Sequence, residues 1–332
     1  TPAIAVAAES ADVEPIAVCP VAESNGEIVY QQLEAARKQT GVPREILSDQ
    51  GSDLQKGIRL FCEAHPETNA IYDIKHKVAT VLKRELGADR AWQEFSTQAG
   101  QTIARVQQTA LAALAPPRQR RKARYMNVAE LVSWGGRIVQ YLDTAGNQLA
   151  DWDPQRVEQA VGWVRQYRQE LEQWRQFMEV STIVEQFVKT HGVTIGGAAQ
   201  LRARLAETGT LPRTQQLKGE LLQFVTEEGA KAKAGERLVG SSEVIESIFG
   251  KWKHLEGEQA RRGLTGLVLA LGAIVSHTTA AVIKAALESV PTKTVLTWCR
   301  EKLGKTVQAT RRTLFAAQRN AEQKQDQLQL AA

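Results

Sequence analysis

The alternation of apolar and polar positions divides the chain into stretches of different rhythm. Residues 13–22, Val-Glu-Pro-Ile-Ala-Val-Cys-Pro-Val-Ala, read as a strand, and their two prolines direct it to an edge or an irregular position. Ser24 and Glu27 then form a capping-box pattern, Val29, Leu33 and Ala36 recur at helical spacing, and Gly41 with Pro43 supplies the stop. Glu45-Ile-Leu-Ser follows as a short buried strand that ends at Asp49, and a helix continues through Leu54, Ile58 and Phe61. Strand, helix, strand in this order is the parallel crossover unit of an α/β sheet. A second amphipathic helix runs through Ile74, Val78, Leu82 and Leu86, with Asp73 before it as its cap and Lys75, His76, Lys77, Lys83 and Arg84 on its polar side.

From about residue 98 to 232 the period is helical and alternation is scarce. Val157, Val161, Val164, Leu171, Trp174 and Met178 make one continuous apolar stripe at steps of three, four or seven. Near residue 233 the pattern changes again, and Gly240-Ser-Ser leads into a helix at Glu243 whose packed face is expected to be Val244, Ile245, Ile248, Phe249 and Trp252. Arg300 to Arg319 reads as a basic helix with six cations and one acid, followed by a Gln-rich end that frays. The layout expected is therefore 1–97 as an α/β segment, 98–232 as an all-helical insertion, 233–300 as the completion of the α/β core, and 301–332 as a basic helix and tail.

Composition bounds this picture without redirecting it. The 332 residues are 43% hydrophobic and 24% charged, which excludes a largely disordered chain and leaves ample material for a core. Lys and Arg number 42 against 37 Asp and Glu, a net +5 with a pI near 9.1, which permits a polyanionic partner without requiring one. Cys19, Cys62 and Cys299 are odd in number and widely spaced, which argues against a disulfide framework and for a reducing cytoplasm. Leu264 to Ile283 carries no charge and has the length of a bilayer span, but Thr265, Ser276, His277, Thr278 and Thr279 favour a buried helix, so a chain outside the membrane is expected.

Three groups of residues carry candidate chemistry. Asp49 stands just past the carboxyl end of its strand, where α/β sheets bind ligands; an Asp there also serves simply as a helix cap. Gly51 is expected to let the backbone turn beside it, and Asp53 to cap the following helix. Glu246 and Lys253 are seven residues apart on one helix, within about 20° of each other around its axis. Glu243 and Glu246 in a first helical turn also favour the macrodipole, which alone can account for them. Arg118, Arg120, Arg121, Lys122 and Arg124 put five cations into seven positions after Pro116-Pro117, a cluster that can track DNA phosphates or form a solvated loop. Tyr125, Trp134 and Trp152 are read as core aromatics rather than base-stacking ones. Cys62 and His65 have a metal-like spacing with no second pair, and His76 is a lone histidine, so all three are read as structural or surface residues.

Four segments together, Gly41-Val-Pro-Arg-Glu-Ile-Leu-Ser-Asp-Gln-Gly-Ser-Asp53, Ile71-Tyr-Asp-Ile-Lys-His76, Lys122-Ala-Arg-Tyr-Met-Asn127 and Ser242-Glu-Val-Ile-Glu-Ser-Ile-Phe-Gly250, resemble a bacterial DDE transposase. The resemblance implies an α/β fold with an RNase H-like core, a large all-helical insertion and a predominantly helical chain overall. It implies that Asp49 and Glu246 are catalytic metal ligands for Mg²⁺ or Mn²⁺, in a site of two ions, and that Lys253 contacts a phosphate of bound double-stranded DNA. Paired divalent ions suit this chemistry because they activate an attacking oxygen and stabilise a departing one at a phosphodiester. A homodimer on DNA and association with the nucleoid follow from the same likeness. The family's first acid lies on an opening strand for which no counterpart is read here: only one strand is expected before the helix at Glu27, and Asp12 stands at the wrong place. The chain is thus expected to be truncated at its N-terminal side, either an incomplete transposase or a non-catalytic DNA-binding or scaffold protein derived from one.

Overall fold

A computed structural model describes residues 3–9, 12–19, 21, 23–118, 128–144, 152–257, 269, 279–303, 312–313 and 316. The chain is mostly helical, with four strands among the described residues, and it divides into two units that interleave along the sequence. One unit comprises Thr1–Arg44, Gly51–Thr68 and Glu243–Ala332; the other comprises Glu45–Gln50 and Asn69–Ser242. Among the described residues no helix is long and apolar enough to cross a membrane.

The first unit opens on strands β1 (Ala3–Glu9) and β2 (Asp12–Cys19), which pair antiparallel with a register shift between Ala5 and Val6. Two strands therefore precede the first helix, not the single one that the prolines of residues 13–22 made visible. The Ala-rich run of β1 lacks the alternation that marks a half-buried strand, so its pairing is not visible in the pattern. Helix α1 (Gly26–Thr40) is capped by Asn25, whose side chain accepts from the Ile28 N–H at 2.9 Å, one residue beyond the expected Ser24. Its C-cap is Gly41, as the Gly41 and Pro43 stop predicts. Helix α2 (Ser52–Ala64) lies close against α1: a Cβ on Gly57 would come within 2.5 Å of the Val29 Cβ, so only glycine admits this approach. Gly51 precedes α2 with φ −58°, an ordinary value, and Asp53 sits in the first turn without a side-chain capping bond, so neither does what the sequence indicated. His65 meets Glu34 at 2.5 Å while Arg37 holds the same carboxylate at 2.9 Å, which gives His65 a structural partner. The unit also holds helices α10 (Glu243–Gly257), α11 (Ala280–Ser289) and α12 (Thr292–Leu303). Most of the uncharged stretch Leu264 to Ile283 lies outside the described residues; its last four residues open α11 and are exposed, not buried. The basic run beyond Leu303 is likewise almost wholly outside them.

The second unit is built on two short parallel strands, β3 (Glu45–Ser48) and β4 (Asn69–Tyr72), in the register Glu45↔Asn69 to Ser48↔Tyr72. Helices α3 (Ile74–Gly87), α4 (Arg90–Val106), α5 (Val128–Thr144), α6 (Pro154–Val161), α7 (Arg168–His191), α8 (Gly197–Arg204) and α9 (Pro212–Gly229) surround a single apolar cluster. Residues 97 and 98 thus fall inside α4. At the centre Phe95 is fully buried, with its ring 5.2 Å from those of Tyr167 and Trp174 and 5.4 Å from that of Trp163. Trp134 is buried as expected and donates its indole N–H to the Leu114 carbonyl at 3.0 Å, and Trp152 packs on Tyr141; Tyr125 lies outside the described residues. The stripe from Val157 to Trp174 is buried, and Met178 packs against it, but it is not one helix. Residues Gly162–Tyr167 form a 3₁₀ segment between α6 and α7, and Val161, Val164 and Tyr167, at steps of three, are the positions that a threefold helix stacks on one side.

Candidate functional site

The carboxyl ends of β3 and β4 lie side by side, and each strand is followed at once by an aspartate. Asp73 donates its backbone N–H to the Ser48 carbonyl at 3.0 Å, which extends the pairing one step past Tyr72. Asp49 follows Ser48 and is 44% exposed, whereas the Asp73 side chain is 1% exposed. Asp49 thus sits where the sequence expected it, at the strand end where open α/β sheets bind ligands.

Asp73 is the cap of α3, accepting the His76 N–H at 2.9 Å through Oδ1. The same oxygen lies 3.1 Å from the His76 ring Nδ1, and Oδ2 accepts the Ser242 N–H at 2.5 Å. Burial alone would raise the Asp73 carboxyl, but the His76 ring and the Ser242 and His76 amides outweigh it and hold it down at about 2. The carboxylate is therefore ionised at neutral pH. Across the ring, His76 Nε2 stands 3.9 Å from Asp49 Oδ2. One buried carboxylate, one imidazole and one half-exposed carboxylate thus form a line at the strand ends.

The segment before Glu243 is tied to the same edge. Leu238 pairs with Val193, the Val239 N–H donates to the Glu45 carboxylate at 2.9 and 3.1 Å, and the Gly240 carbonyl accepts from the Ile74 N–H at 3.0 Å. With Ser242 on Asp73, these bonds fix the backbone of residues 238–242.

Asp49 belongs to one unit, and Glu246 and Lys253 to the other. Glu246 lies in the first turn of α10 and is half-buried; Lys253, on the same helix, is exposed. Ile245 and Trp252 of the expected packed face are half-buried, and the side chains of Val244, Ile248 and Phe249 lie outside the described residues. Arg118 is exposed and donates to the Gln107 side chain at 3.3 Å, while Arg120, Arg121, Lys122 and Arg124 lie outside the described residues. The helix before Pro116 ends at Val106, well ahead of the prolines, and a 3₁₀ turn at Ala112–Leu114 intervenes. Among the described residues no three His, Cys, Asp or Glu side chains are grouped closely enough to hold a metal ion by themselves.

Sequence reasoning treated Asp73 as a cap only and His76 as a lone histidine. The usable signal was their spacing of three, which in a first helical turn puts the imidazole beside the capping carboxylate. Ser242 carries no comparable signal. Neither a family model, nor a curated protein, nor a solved structure matches the chain.

Proposed function

We propose that the chain is a DDE-type transposase that cleaves and transfers DNA strands with divalent metal ions. What supports this reading most is Asp49, an accessible carboxylate immediately beyond the carboxyl end of a parallel strand, in the segment that carries the resemblance. In this reading the parallel pair and the β1–β2 hairpin belong to an RNase H-like core, and the helices of residues 98–232 are its insertion. Asp49 and Glu246 are metal-ligating carboxylates for Mg²⁺ or Mn²⁺, and the donor chemistry fits, since hard divalent ions take carboxylate oxygens and keep waters or substrate phosphates in their remaining positions. When bound, such ions supply Lewis-acid activation at a phosphodiester. Lys253 holds a backbone phosphate. Arg118, Arg120, Arg121, Lys122 and Arg124 neutralise further phosphates of double-stranded DNA, on which two copies of the chain assemble.

A second reading, a DNA-binding or scaffold protein descended from such an enzyme, is favoured by one observation: among the described residues no group of three acids or histidines is available to a metal. Supercoiled plasmid incubated with the chain and Mn²⁺ separates the two. Open-circle product that is lost with chelator and in Glu246→Gln supports the transposase; salt-sensitive binding with no nicking in any divalent metal supports the scaffold.

A further inference from the structure

Lys218 is a buried cation without a counter-charge. It stands on α9, is 9% exposed, and donates from its ammonium to the Leu205 carbonyl at 2.6 Å and the Thr208 carbonyl at 3.0 Å. Leu205 is the C-cap of α8, so these bonds tie the end of that helix to α9. They use two of the three ammonium protons, and a helix end offers about half an elementary charge against a full one. Among the described residues Lys218 forms no ion pair with a carboxylate, although a charge withdrawn from water is ordinarily paired. It also lines a groove of about 540 Å³ between α8 and α9. Arg202 of α8 lines the same groove, is exposed, and has neither a hydrogen bond nor an ion pair among the described residues. The one acid of the lining, Glu227, accepts from the Gln223 amide at 2.8 Å and lies about 13 Å from Lys218 along the α9 axis, at roughly 1.5 Å per residue. Gly219 and Leu222 add no charge, and a Cβ on Gly219 would meet no neighbouring group within 4 Å. The Lys218 end of the groove is therefore open and carries two cations that nothing neutralises.

We propose that this groove binds a phosphate ester, with Lys218 and Arg202 holding its phosphate group. A tetrahedral phosphate can take the fork of a guanidinium on two oxygens and the point charge of an ammonium on a third, whereas a planar carboxylate is already satisfied by the fork. The volume exceeds that of a bare anion and falls in the range of small-molecule clefts, so the organic part of the ester lies along the groove past Gly219 and Leu222. A sugar–phosphate backbone and a free phosphate ester share this chemistry. The site has no residue in common with that of Asp49 and needs no metal, so it goes beyond the strand-transfer reading and is decided separately from it.

The test spares Lys218, which holds the end of α8, and uses the full chain in chloride buffer of low ionic strength. Inorganic phosphate and glycerol 3-phosphate are titrated by calorimetry, and spectra of glycine-¹⁵N protein locate the bound anion through the Gly219 amide, assigned by its loss in Gly219→Met. In the wild type both phosphates bind and move the Gly219 signal. Arg202→Gln binds them roughly tenfold more weakly, and Gly219→Met, whose side chain fills the groove, binds neither while its thermal unfolding stays at or above that of the wild type. No binding beyond that of chloride, binding that leaves the Gly219 signal in place, or affinities unchanged in both variants overturns the proposal. A duplex DNA oligomer that moves the Gly219 signal and displaces inorganic phosphate upholds it with a backbone phosphodiester as the ligand. A duplex that does neither, beside tighter binding of glycerol 3-phosphate than of inorganic phosphate, upholds it with a free ester.

Discussion

Asp73 carries more of the local structure than any other side chain at the strand ends. It caps α3, fixes the His76 ring and holds the Ser242 amide, all from a position closed to solvent. Its pKa falls from the usual 3.8 to about 2 on folding, so the ionised form is stabilised in the native state. The corresponding stability is fully present above pH 4 and is lost as pH falls through about 2. By linkage it amounts to about 2 kcal/mol. Urea unfolding at stepped pH should show the wild type losing that much more stability than Asp73→Asn between pH 4 and pH 2; parallel curves for the two proteins would contradict the role given to the carboxylate. At neutral pH, Asp73→Ala strips three N–H donors of their acceptor and should cost about 3 kcal/mol in the same assay. The capping half of this was legible, because an Asp ahead of an amphipathic run is a local signal. The bond to Ser242 was not, since its partner lies 169 residues away and backbone amides leave no mark on a sequence. Asn25 in place of Ser24 is a smaller case of the same kind: both residues are good caps, and only backbone geometry chooses between them.

At the scale of elements, periodicity located the helices and missed what happens where they join. The stripe from Val157 to Met178 marks the buried positions correctly, but a step of three serves an α-helix and a 3₁₀ segment equally, so the interruption at Gly162–Tyr167 could not be seen. Of the two short strands β3 was legible, since Glu45-Ile-Leu-Ser is a short apolar run that ends at Asp49, while β4 was not read at all, because Asn69-Ala-Ile-Tyr is too short to carry a pattern of its own. The crossing of the 237–240 segment over the end of α7 gives a sharp test of element packing. Gly192 has φ +65°, and a Cβ there would overlap the Leu238 carbonyl oxygen, whose residue pairs with Val193. Gly192→Ala should therefore lower stability by about 2–4 kcal/mol by denaturant unfolding, from left-handed backbone strain together with the overlap. A change within about 0.5 kcal/mol, the usual range for an unremarkable surface position, would show that this crossing is not packed as described.

At the scale of the molecule, the two units interleave because a strand joins the sheet it pairs with rather than its neighbours in sequence: residues 45–50 belong with 69–242, and 51–68 belong with the N-terminal and C-terminal parts. Boundaries drawn along the chain cannot express this. Net charge is equally coarse, and in the proposed reading DNA binding rests on the local cluster after Pro117. Replacing Arg118, Arg120, Arg121, Lys122 and Arg124 with Gln should reduce the slope of log affinity against log salt for duplex DNA by about 4 to 5, at about 0.9 per phosphate released. An unchanged slope would remove DNA from the role of that segment. Plasmid nicking in Mn²⁺ with Asp49→Asn beside Asp53→Asn decides whether Asp49 is the catalytic metal ligand proposed above. Asp53 sits a few residues on, in the first turn of α2, with no capping bond, and it controls for loss of charge in the same stretch of chain. The account predicts that Asp49→Asn lowers the nicking rate on the order of a hundredfold or more while Asp53→Asn stays near wild type; equal rates for the two variants would contradict it.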